Sequence, residues 1–107
     1  MLAFKGYEGQ HEFDTHIRIT KNMLESASFK ELSSDAKSLY IYMKLHAKGN
    51  YMVVFDMETV EGLYMNKEAY NEAINELLDK GFVNAVGESW NGDTPNHFKF
   101  SNQWYVI

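Results

Sequence analysis

The sequence contains no cysteine, a single proline (Pro95) and fewer basic than acidic residues. Without cysteine the chain can form neither disulfide bonds nor thiolate metal sites, and we predict a cytoplasmic protein. No apolar run approaches the ~20 residues of a membrane span, and the N-terminus lacks the apolar stretch of a signal peptide. The 107 residues, 45% of them hydrophobic, are sufficient for one domain around a single core.

Positive charge is also scarce, because ten Lys and Arg face fifteen Asp and Glu, giving a net charge of −5 and a pI near 5.3. Nucleic-acid-binding domains more often carry a basic excess, which displaces counterions from the phosphates. A small basic face can nevertheless lie on an acidic molecule. The distribution of the basic residues therefore matters more than their number.

The N-terminal part divides into a flexible polar arm, residues 1–12, and the start of one domain, residues 13–107. From Phe13 to Thr20, apolar and polar residues alternate, which predicts a strand added to the core fold. Thr20 is a suitable cap for a short helical turn. Ser33 then caps a longer helix that ends at Gly49-Asn50.

Two further elements precede the most regular segment. Tyr51 to Phe55 is rich in β-forming residues, and Asp56 caps a brief predicted helix that runs to about Leu63. Asn66 is the N-cap of the next helix, with Met65 and Tyr70 spaced as a hydrophobic staple.

That helix ends at Lys80-Gly81, with glycine at the left-handed position and Phe82 placed to contact Leu77. Phe82 to Gly87 and Asn96 to Ser101 then flank a polar loop, Glu88 to Pro95, whose Asn91-Gly92 pair favours a reversal. The two runs predict a β-hairpin. Phe98 and Phe100 would face inward, and His97 and Lys99 outward.

This order of elements is that of a winged helix-turn-helix domain. The segment Tyr70 to Val83 is similar to the Leu-x-x-Lys-Gly-Phe segment of that superfamily. Ile19 to Ser33, Ala36 to Tyr40 and Phe100 to Trp104 resemble helix-turn-helix proteins of Firmicutes plasmids, phages and conjugative elements, which themselves resemble the N-terminal domains of replication initiators. The resemblance implies an α+β fold, a three-helix core plus a β-hairpin wing, here with an N-terminal extra strand and short helix.

The resemblance also implies a small protein that binds double-stranded DNA in replication initiation or transcriptional regulation. Its third core helix would enter the major groove, where Asn pairs with adenine and Glu accepts from cytosine N4. The wing would lie along the DNA backbone. The DNA-binding residues predicted in this way are Asn66, Lys67, Glu68, Asn71, Glu72 and Asn75 on the helix, and Asn91, His97 and Lys99 on the wing.

The charge of the third helix opposes this interpretation. From Lys67 to Lys80 it holds two Lys against four acidic residues, a charge of −2 that phosphates repel. The same residues can form an ordinary solvated helix face. The alternative function is a winged-helix protein-interaction module, in which the acidic face meets a basic partner or a second copy of the chain and DNA is not bound.

Two other features have more than one interpretation. Lys37, Lys44 and Lys48 form a stripe on the first long helix, which is either solvated or a set of phosphate contacts. Trp90, at the tip of the wing, either folds back onto the domain or contacts a partner.

Catalysis and metal binding are not predicted. His11, His16, His46 and His97 are too scattered for a metal site. Pairs such as Glu58 and Glu61 are common on exposed helices, and the sequence has no phosphate-binding glycine loop and no nucleophile elbow. We therefore expect no enzyme activity and no cofactor.

Overall fold

The computed structural model describes residues 17–56, 65–87, 90–91 and 94–105. Within these ranges the chain forms an α+β fold, which confirms the predicted class. The predicted helix from Asp56 to about Leu63 falls on residues 57–64, outside the described ranges, as does the arm predicted for residues 1–12. The described elements are α1 (Lys21–Glu25), α2 (Ala27–Lys30), α3 (Ser34–Ala47), β1 (Met52–Val54), α4 (Lys67–Asp79), β2 (Val83–Ala85), β3 (Trp90–Asn91), β4 (Thr94–Pro95), β5 (His97–Phe100) and a 3-10 turn (Gln103–Tyr105).

The sheet is antiparallel, with the strand order β1-β5-β2. Lys99 of the central strand lies opposite both Met52 and Asn84. Phe98 is fully buried on the inner face, whereas Lys99 is exposed on the outer face. The predicted inward and outward positions of β5 are therefore confirmed.

The hairpin is longer than the sequence indicated. The loop predicted from Glu88 to Pro95 contains a further strand pair, in which Trp90 lies opposite Pro95 and Asn91 opposite Thr94. Pairing between the two arms therefore extends as far as Asn91 and Thr94. A turn signal fixes where a chain reverses but not how far pairing extends on either side of it.

The predicted N-terminal strand is not formed by the residues of it that the structure describes. Ile17 to Thr20 have no ladder partner. Thr20 instead caps α1, with its side chain accepting a hydrogen bond from the Met23 N–H at 3.2 Å. The predicted alternation of burial is present, since Ile19 is half-buried and Arg18 is exposed, but a strand also needs a neighbour to pair with.

Helix α3 begins and ends where its caps predict. Ser33 accepts from the Ala36 N–H at 3.1 Å, and Lys48 adopts the left-handed conformation, with φ of 53°, directly after the helix. Ile41 is 40% exposed, whereas Tyr42 is half-buried and packs against the core. The buried residues of α3 are Ala36, Leu39, Tyr40, Met43 and Ala47.

Helix α4 packs against α3 and ends in a Schellman motif. The N–H groups of Gly81 and Phe82 donate to the carbonyls of Leu78 and Leu77, at 3.3 and 3.0 Å, and Gly81 has a φ of 82°. This is the predicted glycine termination. It turns Phe82 into the core, where its ring packs edge-on against Tyr40 at 5.5 Å.

The C-terminal 3-10 turn packs against the core between α2 and the end of α4. The Trp104 ring stacks on Phe82, with centroids 6.0 Å apart and planes 6° from parallel. The Trp104 N–H donates to the Gly81 carbonyl at 3.1 Å, and the buried Ser28 hydroxyl donates to the Trp104 carbonyl, also at 3.1 Å. The turn is therefore fixed to both α2 and the end of α4.

Candidate nucleic-acid interface

The outward face of α4 carries a line of four exposed side chains, Glu68, Glu72, Asn75 and Asp79, which we call the acidic row. Their spacing of three or four residues places them on one ridge of the helix, opposite the buried Tyr70, Ile74 and Leu77. The row has a formal charge of −3. Lys67 is exposed but lies about 100° around the helix axis from this ridge.

The predicted base-reading residues thus fall into different environments. Glu68, Glu72 and Asn75 share the acidic row, while Asn71 is half-buried beside it. Asn66 is exposed, but its side-chain oxygen accepts from the Ala69 N–H at 2.8 Å as the helix cap. Bidentate pairing with adenine needs both the oxygen and the amide of an asparagine, so in Asn66 adenine would share the oxygen with the helix cap.

Glu76 belongs to a different surface from the acidic row. Its two carboxylate oxygens accept from the Ser33 backbone N–H at 2.8 Å and from the Ser33 hydroxyl at 2.6 Å. Because Ser33 is the N-cap of α3, the carboxylate lies at the positive end of that helix, where an anion is stabilised. Lys80, one turn further on, forms an ion pair with Glu31 at 3.0 Å. Glu76 and Lys80 thus hold α4 against α3 and the end of α2.

On the predicted wing, the structure describes the side chains of His97 and Lys99. Both lie on the outer face of the sheet, where His97 is half-buried and Lys99 is exposed. Trp90 and Asn91 are placed in β3, but their side chains are outside what the structure describes.

The lysine stripe of α3 is partly fixed on aromatic rings. The Lys37 ammonium lies 5.5 Å from the centre of the Phe29 ring. Lys44 is half-buried, with its ammonium 5.0 Å from the Phe100 ring and 5.9 Å from Tyr40. Burial lowers the pKa of Lys44 from its ordinary value. Lys48, just beyond the helix, is exposed.

Lys44 and Lys99, predicted separately, line the same open groove together with Arg18. We call it the cationic groove; its volume is about 650 Å³. It lies between the segment before α1, one flank of α3 and the outer end of β5. Among the described residues no aspartate or glutamate lines it, although acidic residues outnumber basic ones in the chain. Its uncharged polar lining comes from Thr20, Asn84, Ser101, Asn102 and Gln103.

A second depression of about 450 Å³ adjoins the cationic groove and shares Arg18 and Lys44 with it. It is completed by Ile17 and by Gly49-Asn50, at the end of α3 next to Lys48. The basic surface therefore continues along the flank of α3 towards its C-terminus.

Arg18 is the residue of this surface that the sequence interpretation missed. It is the only arginine of the chain, which was a usable signal, since arginine is the side chain best suited to phosphate recognition. The expected strand, however, gave it only the role of an outward polar position. Asn84 was missed for a similar reason, because its neighbourhood depends on strand pairing.

Comparisons with protein-family models, with curated proteins and with solved structures found no match to this chain. Among the described residues, no three His, Asp or Glu side chains are grouped so that they could hold a metal ion. In the same part of the chain, no helix is long and apolar enough to cross a membrane.

Proposed function

We propose that the chain is a winged helix-turn-helix domain that binds double-stranded DNA, in replication initiation or transcriptional regulation on a mobile element. The observation that carries the proposal is the succession and pairing of the elements. A long helix, a short strand, a second long helix and a hairpin follow one another, and the last strand returns between the other two in the order β1-β5-β2. This order supports assigning α4 as the recognition helix and β2 to β5 as the wing.

The exposure of α4 supports the same assignment. Its outer ridge is uncovered by any described element, as a helix that enters the major groove must be. Asn75 offers an amide for adenine, and Glu68 and Glu72 offer acceptors for cytosine N4. Lys67 at the start of the helix and Lys99 on the sheet are exposed and are the lysines proposed to contact phosphates in this mode.

The acidic row makes such binding weak and dependent on sequence. A carboxylate brought to 4 Å from a phosphate costs about 1 kcal/mol in water and several times more in a drier contact. Random duplex DNA does not consistently place cytosines opposite this row, so hydrogen bonds do not offset the repulsion. A site with cytosines opposite Glu68 and Glu72 would convert part of the cost into hydrogen bonds.

The first test is the affinity for random duplex DNA as salt is varied. We expect log affinity to fall linearly with log salt, because phosphate contacts release counterions. Lys67→Glu and Lys99→Glu should each weaken binding and leave thermal stability nearly unchanged. An absence of binding to duplex DNA at ~50 mM salt contradicts the proposal. If both variants bind duplex DNA as tightly as the parent protein does, the proposed face is wrong.

The double variant Glu68→Gln with Glu72→Gln tests the orientation of α4. If the row faces DNA, removing two carboxylates should raise the affinity for random duplex by roughly tenfold or more, since about 2 kcal/mol of repulsion is relieved. Glu25→Gln with Asp35→Asn, at two exposed positions outside α4, is the matched control for the loss of two acidic charges. Equal effects of the two changes would indicate only a change in net charge.

A second candidate function is a protein-interaction module that uses the acidic row. The observation in its favour is the row itself, an uninterrupted ridge of charge −3 with no basic side chain on it. Charge of one sign steers a partner of opposite sign. Under this proposal the chain does not bind duplex DNA directly. Glu68→Gln with Glu72→Gln then lowers its affinity for a lysine-rich peptide, which titration calorimetry measures.

A further inference from the structure

The side chain of Lys44 has an unusual environment for a lysine. Its side chain is half-buried, its ammonium lies over the Phe100 ring, and no described carboxylate pairs with it. Most lysines on a protein surface extend into water. A lysine that is partly desolvated and lacks an anionic partner gains more from an incoming anion than a fully hydrated one does.

The surroundings of Lys44 match such an anion. Arg18 and Lys99 line the cationic groove from two other segments, so three positive charges converge on one open concavity. Asn84, Ser101 and Asn102 add uncharged hydrogen-bonding groups to the same lining. These are side chains of the kind that hold phosphate oxygens without reading a base.

The extent of the basic surface fits a strand rather than a small ion. Lys37, Lys44 and Lys48 recur along one flank of α3 and its C-terminal end, and the 11 residue steps from Lys37 to Lys48 correspond to about 16 Å at the rise of a helix. A nucleic-acid strand in a helix carries one phosphate per ~3.4 Å along its axis. The flank is therefore long enough to meet several phosphates of one strand.

We propose that the cationic groove, with the lysine flank of α3, is a second nucleic-acid contact that holds the sugar-phosphate backbone of one strand. Lys44 is its central residue, and Arg18 and Lys99 contact the same stretch of the sugar-phosphate backbone from either side. This contact does not depend on α4 entering a major groove, because among its residues only Lys99 belongs to the predicted recognition face. It binds without sequence preference, since its groups recognise phosphate and sugar.

The test uses fluorescence anisotropy of a labelled 20-nucleotide oligothymidine at ~50 mM salt. In Lys44→Met the flexible apolar side chain can still cover Phe100, while the charge is removed. We expect about a tenfold loss of affinity and a salt slope lower by about 0.7, the value for one contact to a single strand. The matched control is Lys30→Met, at an exposed lysine that does not line the groove. Equal losses in the two variants would overturn the proposal.

Two further measurements keep the test independent of folding and of the recognition helix. Thermal unfolding of Lys44→Met must match that of the parent, and chemical shifts on adding the oligonucleotide should change at Arg18, Lys44 and Ser101. If polyglutamate of equal charge binds as tightly at the same residues, the groove accepts acidic chains in general and the proposal for nucleic acid is wrong. Loss of oligothymidine binding in Lys44→Met beside unchanged duplex binding in Lys67→Glu retains the groove and rejects the major-groove mode. Unchanged oligothymidine binding in Lys44→Met beside weakened duplex binding in Lys67→Glu rejects the groove and retains the major-groove mode.

Discussion

Gly81 provides the most decisive test of the packing at the end of α4. Its φ of 82° lies in the left-handed region, and a Cβ added there would come within 2.8 Å of Gln103 backbone and side-chain atoms and of the Trp104 nitrogen. The left-handed conformation costs an alanine about 1 kcal/mol, and the forced shift of a packed backbone costs about 1–3 kcal/mol more. Gly81→Ala should therefore destabilise the fold by about 2–4 kcal/mol.

Gly49→Ala separates the two contributions. Gly49 has a similar φ of 88°, but an added Cβ would meet nothing within 4 Å. It should show the conformational cost alone, about 1 kcal/mol. Urea unfolding followed by circular dichroism measures both variants against the parent, and the difference between them isolates the clash with the C-terminal turn. Equal destabilisation by Gly81→Ala and Gly49→Ala would refute the close approach of Gln103 and Trp104 to Gly81.

Two further predictions concern buried and capping groups. Burial raises the pKa of Tyr40 from 10.0 to about 12, so the folded state holds this proton more tightly than the unfolded state does. Stability should thus decline as pH rises from 10 to 12, by up to about 2–3 kcal/mol for this group, and urea unfolding of Tyr40→Phe should show a shallower decline. Glu76→Ala should cost about 1–2 kcal/mol in thermal or urea unfolding, because two hydrogen bonds from Ser33 to a carboxylate are lost, whereas Glu72→Ala should be nearly neutral. The buried Tyr70 also contributes to the alkaline decline in both the parent and Tyr40→Phe. An alkaline decline in Tyr40→Phe as steep as that of the parent, or equal costs at the two glutamates, would contradict these expectations.

The features that could be predicted from the sequence are those that a few consecutive residues determine. Ser33, Asn66 and Gly81 each act on backbone groups within about five residues, so their capping roles could be identified before any fold was known. The inward positions of Phe98 and Phe100 follow from the two-residue period of a strand in the same way.

Contacts between distant residues could not be predicted in this way. Glu76 reaches Ser33 across 43 positions, and nothing near Glu76 in the sequence distinguishes it from Glu72, which stays exposed. The cationic groove has the same origin, because Arg18, Lys44 and Lys99 come together only through the packing of three separate segments. The expected N-terminal strand was wrong over its described residues because alternation says nothing about whether a pairing partner is available.

Charge is separated within this acidic chain. The acidic row occupies the ridge of α4, while Arg18, Lys44 and Lys99 share a groove whose described lining has no carboxylate. The net charge of −5 therefore describes neither surface. Long-range repulsion of a polyanion should be strongest at low ionic strength on the α4 side, and approach should be favoured on the groove side.

The hydrogen bond between Ser28 and Trp104 joins residues 76 positions apart. Helices α3 and α4 can form from local contacts within microseconds, but the docking of the C-terminal turn on α2 through Ser28 and Trp104 must wait for closure of a loop that spans most of the domain. Contacts of this separation form late unless they belong to the folding nucleus. Truncating Trp104 to alanine should therefore accelerate unfolding far more than it slows folding, so that the C-terminal turn governs how long the native state persists once it has formed.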